Sequence, residues 1–288
     1  MTPPEAAEPD LVLATPGAAG AGTTAGRRTR GLAGRGMGLV SLQMHYEQKA
    51  FWRNPAAAFV TFAFPVVFFL IFGALFKGQT YPGLGGIKGI QYYTPVIATW
   101  GVMSACFVNL AVTTTFRRDQ GLLKRVRGTP LPSSAYLGGL IASTVVTAFI
   151  ITVVIIVLGV AAYRSPLPTD WAGLVVTFAV GAAAFCALGL ATSVVVPNAD
   201  AAPAVVNMVF FVLLVISGGF FYIPSTSVLA QIAQVFPLRH FVDAGFAAFD
   251  PRRSGASFPW GDVGIMAAWG AAGLLVAARW FRWEARRS

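Results

Sequence analysis

The chain has 288 residues, 56% of them hydrophobic and only 11% charged, with a mean hydropathy of +0.68 and a net charge of +10. Soluble domains carry charge on about a quarter of their residues, so these values and the long charge-free stretches exclude a soluble globular domain and point to an integral membrane protein. The cations gather at the ends of apolar runs, where they serve orientation and anionic lipid rather than nucleic acid.

Residues 1–38 are rich in Ala, Gly, Pro and Thr and read as a disordered cytoplasmic tail. Leu11–Ala14 is too short for the apolar region of a signal peptide, and the arginines follow it rather than precede it. Residues 39–54 read as an amphipathic helix lying on the inner leaflet, with Leu42, Tyr46 and Lys49 on one side, broken by Asn54-Pro55. A cytosolic extension of the first span is the alternative.

A spanning helix needs roughly 20 apolar residues. Six runs meet or approach this, at 56–76, 94–116, 136–162, 171–196, 204–221 and 263–281, so residues 55–288 are expected to form an all-α domain of six transmembrane helices. Pro65 removes a backbone donor in the first and can kink it. Small residues such as Gly181, Ala184 and Gly189 allow close packing of the fourth. Cys106 and Cys186 fall within apolar runs and read as small buried hydrophobes.

The spans lack ionisable groups. All eleven Asp and Glu and both His lie outside the apolar interiors, which disfavours a proton-driven transporter and excludes an intramembrane aspartyl or metalloprotease. No lysine follows a glycine, so there is no phosphate-cradling loop. Uphill transport by this chain would draw its energy from another one. The polar span residues are neutral: Asn109, Thr113, Thr114 and Thr115, then Ser143, Thr144 and Thr147, then Asn207. They bond neighbouring helices or line a passage for a large amphipathic solute.

Between the second and third spans lies Arg117-Arg118-Asp119-Gln120-Gly121-Leu122-Leu123-Lys124-Arg125-Val126-Arg127-Gly128-Thr129-Pro130, a short basic segment with an amphipathic pattern. Lys and Arg outside the spans, with Arg279 at the end of the last one included, number fifteen on its side and six on the other, which places it and both termini in the cytoplasm. Its arginines read as serving orientation and lipid contact. Leu122, Leu123 and Val126 read as a docking surface.

The outer segment 222–262 is too apolar for an ordinary loop. Val228, Leu229, Ile232, Val235 and Phe236 repeat at helical spacing, and after Pro237 so do Leu238, Phe241, Val242, Gly245, Phe246 and Phe249. Each piece spans roughly 18 Å, too short to cross, so a re-entrant helical hairpin dipping into the outer leaflet is expected. A small extracellular cap on the bundle is the alternative. Arg239 and Asp243, four apart, are placed to pair.

Arg118–Leu131 with Tyr136, and Ser217-Gly218-Gly219-Phe220-Phe221-Tyr222-Ile223-Pro224 followed by Phe236-Pro237-Leu238 and Phe241, resemble ABC exporter permeases of the drug and polysaccharide class, most like the daunorubicin-type multidrug branch. The resemblance runs from about residue 39 onward, with Asp119 where the family often has Glu and no counterpart for residues 1–38. It implies a multi-pass permease of the bacterial plasma membrane that exports an amphipathic drug, natural product or lipid-like molecule by alternating access. A polysaccharide or lipid-linked glycan exporter is the alternative, and a secondary transporter the alternative from another class. It also implies two permease copies forming a homodimer, each docking an ABC ATPase that carries the ATP and Mg, with no cofactor, metal or catalytic residue on this chain. Asp119, Gly121, Leu122, Leu123, Arg125, Val126 and Pro130 would then belong to the coupling helix that meets the ATPase. Asn109, Thr113, Asn207, Phe220 and Phe221 would line the path, and Phe236, Arg239, Phe241 and Asp243 would form an outer gate.

Overall fold

The computed structural model describes residues 24–81, 86–220, 227–250, 253 and 258–281, with side chains from Met37 onward. The chain divides into two units, Met1–Gly38 and Leu39–Ser288, and every long apolar helix belongs to the second. Helix α1 spans Thr24–Trp52, so helical backbone starts inside the tail expected to be disordered, while residues 1–23 lie outside the described residues. Arg27, Arg28, Arg30 and Leu32 are good helix formers and offset the neighbouring glycines. Leu42, Tyr46 and Lys49 are exposed together, as their spacing requires. The other face of α1 lies on helix α6, where Gly139 leaves room for Gln43.

Helix α2 spans Pro55–Phe76 and begins as its sequence dictates: Asn54 accepts from the Ala57 N–H at 3.2 Å, and Pro55 supplies the first helical φ. A ribbon of two short antiparallel strands, β1 (Thr80–Tyr81) and β2 (Ile87–Lys88), joins it to the second long helix. That helix is continuous from Gly89 to Asp119. It comprises α3 (Gly89–Met103), a π-helical turn (Ser104–Asn109) and α4 (Leu110–Asp119). It is the most buried of the long helices, with Tyr93, Ile97, Trp100 and Met103 fully enclosed. Helix α5 (Leu122–Arg127) follows, then α6 (Ser133–Tyr163) and α7 (Trp171–Val195).

The run expected as a fifth span is helical only over α8 (Ala202–Ile216), about 22 Å at 1.5 Å per residue. Gly218, at φ +77°, follows the end of the helix in a left-handed conformation that glycine adopts at little cost. Among the described residues, five helices are therefore long and apolar enough to cross a membrane where six were expected, with α8 a shorter apolar one. The segment 202–220 is nevertheless tied near both ends of the α3–α4 helix. The Asp119 carboxylate accepts from the Ala199 N–H just before it, and the Tyr92 and Tyr93 hydroxyls donate to Gly218 O and Phe220 O at 3.2 Å.

Helices α9 (Val228–Ala233) and α10 (Pro237–Ala247) precede the last long helix, α11 (Trp260–Trp280). The N–H groups of Thr169 and Asp170 donate to Ala248 O at one end of α10, while Phe241 packs on Gly181, ten residues further along α7. Helix α10 thus lies alongside the first half of α7 and is buried for most of its length. Helices α7 and α11 meet through small residues, a Cβ on Gly270 falling 2.9 Å from Ala184 Cα.

The π turn has a local counterpart. A Cβ on Gly189 would sit 2.9 Å from Phe107 O and 3.0 Å from Cys106 O, so only glycine lets α7 approach the widened turn. Gly189→Val is expected to lower stability by about 1–3 kcal/mol, read as a fall in the thermal midpoint in detergent. Gly261→Ala, which meets nothing within 4 Å, is expected to leave it unchanged or raised.

Candidate functional site

Three consecutive residues at the end of α4 bind three different parts of the molecule. The Arg117 guanidinium donates to both Glu47 oxygens of α1, at 2.7 and 2.6 Å, and to the Tyr136 hydroxyl of α6 at 2.8 Å. Arg118, only 4% exposed, donates to Ser193 O at 2.7 Å and Val196 O at 2.9 Å, the carbonyls left open where α7 ends. Asp119 accepts from the Ala199 N–H at 2.5 Å, which fixes the α7–α8 connection. Successive residues of a helix point about 100° apart, so adjacent arginines reach opposite neighbours. These two arginines are structural clamps bonded within the protein, which corrects the expectation that they contact lipid.

Helix α5 hangs from this junction. Gly121 makes the corner at φ +70°. Leu123 is fully buried and anchors the helix, which corrects its expected place on an outward docking face beside Leu122 and Val126. Leu122, Arg125 and Arg127 are exposed, Val126 is half-buried, and Pro130 is exposed in the turn that follows. The outward face of α5 is therefore basic with one exposed leucine.

The structure brings most of the expected path residues together. Asn109 and Thr113 border a cavity of mixed lining, about 250 Å³ in volume, between α1, α2, α4 and α6, and Thr113 donates to Asn109 Oδ1 at 3.2 Å. Asn109 and Asn207 border a second cavity of about 250 Å³ between α2, the π turn and α8, walled by Phe64, Phe210 and Phe211. Phe220 belongs to an aromatic stack further along α2 and α3, 4.9 Å from the Trp100 ring and 6.1 and 6.0 Å from Phe68 and Phe72. Phe221 lies outside the described residues. Among the described residues, no three His, Cys, Asp or Glu side chains are grouped to hold a metal.

At the opposite end the expected pair forms: Arg239 Nε donates to Asp243 at 2.7 Å and Nη1 to Ser217 O at 3.3 Å. Phe236 is half-buried at the start of α10. Phe241 is not at a mouth but in the core, against Phe178 and Phe185. Sequence reasoning missed His240, which faces two acceptors at 2.7 Å, Asp262 Oδ1 on α11 and Gln234 O after α9. It also missed Glu47, whose only sequence signal is its place on a helix face that also carries Gln43 and Gln48.

Only the imidazolium can donate from both ring nitrogens of His240. Hydrogen bonding to Asp262 raises its pKa above the ordinary value, outweighing burial, with Gln234 O and the more distant Asp243 acting in the same direction. A raised folded pKa stabilises below the unfolded value and loses that contribution as pH rises through the folded value. Thermal stability in detergent is thus expected to fall as pH is raised from about 6.5 upward. His240→Phe is expected to flatten that dependence in the same melting series. Glu47→Ala is expected to cost up to about 3 kcal/mol, the low end for breaking a buried pair, because Arg117 keeps 22% exposure.

No curated protein matches the chain in a direct sequence comparison. The family model described as ABC-2 type transporter matches residues 39–249, which takes in α2, the junction, α5, both cavities and α10. With five helices among the described residues long enough to cross and this match over most of its length, the chain is a multi-pass membrane permease belonging to the ABC-2 type transporter family.

Proposed function

We propose that this permease exports an amphipathic drug, natural product or lipid-like molecule, driven by ATP bound with Mg on a separate ABC ATPase. The observation that carries the reading is helix α5: it projects a basic face from the bundle while its base is bound to α1, α6 and the α7–α8 connection through Arg117, Arg118 and Asp119. A push on α5 then reaches three elements at once. The basic end faces the cytoplasm, as the charge count supports. Segment 202–220 completes a sixth crossing, supported by its ties at both ends, and α9–α10 form a re-entrant hairpin, supported by α10 lying along α7.

In this reading two identical copies form the pathway and two ATPases dock beneath them. The second copy closes the side of the groove between α2 and α8, where Val60, Met208 and Phe211 are exposed. Cargo passes from the Asn109 level to the aromatic stack around Trp100 and Phe220, and the Arg239–Asp243 helix bounds the exit. A polysaccharide or lipid-linked glycan exporter is the second reading, favoured by the hydroxyl-rich cavity beside Thr113, Ser143 and Thr147.

The partner ATPase is expected to co-purify with the chain in detergent. Leu122→Asp with Arg125→Asp is expected to reduce recovered ATPase and stimulated hydrolysis by about tenfold or more, as loss of a binding hot spot would, with the thermal midpoint unchanged. Association and stimulation at the original level in that variant would remove α5 from the coupling role.

A further inference from the structure

Asn109, the last residue of the π turn, and Thr113 and Arg117 of α4 recur every four residues and so share one face of the continuous helix, while Ser143 and Thr147 share a face of α6. These faces and Glu47 of α1 enclose the first cavity. The second cavity shares Asn109 and Ala57 with it, but its walls carry Phe64, Phe210 and Phe211. One hollow has a mixed lining rich in hydroxyl and amide groups, its neighbour is mainly apolar, and Asn109 borders both.

Charge selects the class of head the first hollow can take. Its charged wall residues are Glu47 and Arg117, and the bidentate pair between them cancels both. A phosphate or ammonium head buried beside them would lack a free counter-charge, which is costly. The hydroxyls of Thr113 and Thr144 donate to Asn109 Oδ1 and Leu140 O, so they offer lone pairs to a ligand, while Thr147 donates to Ser143 O and already accepts from Gln48 Nε2 at 3.1 Å, which leaves it one lone pair. A neutral head bearing several hydroxyls supplies the donors those lone pairs need.

We propose that the two hollows form one site for an amphipathic molecule with a neutral polyhydroxyl head and an apolar tail. The head lies by Thr113 and Ser143, the tail by Phe64 and Phe210, and Asn109 bonds at the junction. This deepens the export reading and rests on it for the direction of transport. Binding itself needs no ATPase.

The test uses the full chain in lipid nanodiscs and thermal midpoints with three probes of equal alkyl length: octyl glucoside below its micelle concentration, octyl phosphate and octylammonium. Ligand bound to the folded state raises the midpoint with concentration. Octyl glucoside is expected to bind at least about tenfold tighter than either charged probe. Asn109→Ala and Thr113→Val are each expected to weaken it at least about fivefold, as is the exposed tail-side variant Phe211→Ala if the first two do not fold. A charged probe binding as tightly as octyl glucoside overturns the proposal, and so does unchanged glucoside binding in the variants that fold. Glucoside binding that persists while no ATPase associates would sink the export reading and leave the site standing.

Discussion

Two adjacent guanidinium groups at the end of α4 hold the basic end of this bundle together. Arg117 looks one way, to Glu47 and Tyr136, and Arg118 the other way, to the open carbonyls of Ser193 and Val196. Hydrogen bonds to charged groups contribute about 1.5–3 kcal/mol each, and here they sit where helices end and backbone acceptors would otherwise be unmet. The arrangement depends on helical geometry, because residues i and i+1 can contact different neighbours only when they project at a wide angle. With Asp119 holding Ala199, the corner that carries α5 is bound to α1, α6 and the start of α8.

The same helix connects that corner to the interior. Asn109, Thr113 and Arg117 form one stripe, and the stripe ends at the π turn Ser104–Asn109. A π turn widens the backbone and often marks a functional position in a helix. Here its carbonyls press on Gly189 while Asn109 borders both hollows. Motion of α5 and the chemistry of the cavities therefore meet on a single continuous helix. At the opposite end, His240 and Arg239 bind α10 to α11 and to the carbonyl of Ser217 after α8, so the outer helices belong to the same framework.

Much of this was legible in the residues. Apolar runs located the long helices to within a few residues, and Asn54-Pro55 marked the start of α2 because a cap and a fixed φ act locally. The spacing of Arg239 and Asp243 foretold their pair for the same reason. The basic segment stood out as a short helix between spans. Partners from distant positions were not legible: Glu47 lies seventy residues before Arg117, and nothing local says that the arginine turns inward rather than to lipid. Leu123 is one of two adjacent leucines, and hydropathy cannot tell which one is the anchor. The π turn has no proline or glycine to announce it, and the two short strands between α2 and α3 are too brief for a periodic pattern. Gly218, at positive φ just past the end of the short α8, reads in sequence as an ordinary small residue inside an apolar run.

If the proposed assembly of two copies with ABC ATPases holds, the α4–α5 corner and the α7–α8 connection move as one body when ATP binds. Spin labels at Arg127→Cys and Asp200→Cys, in a chain whose Cys106 and Cys186 are buried, measure the distance between them in the intact complex. The account predicts the same distance with and without bound ATP, while Asp200→Cys labels on the two copies change their separation. A change between Arg127→Cys and Asp200→Cys within one copy would contradict it.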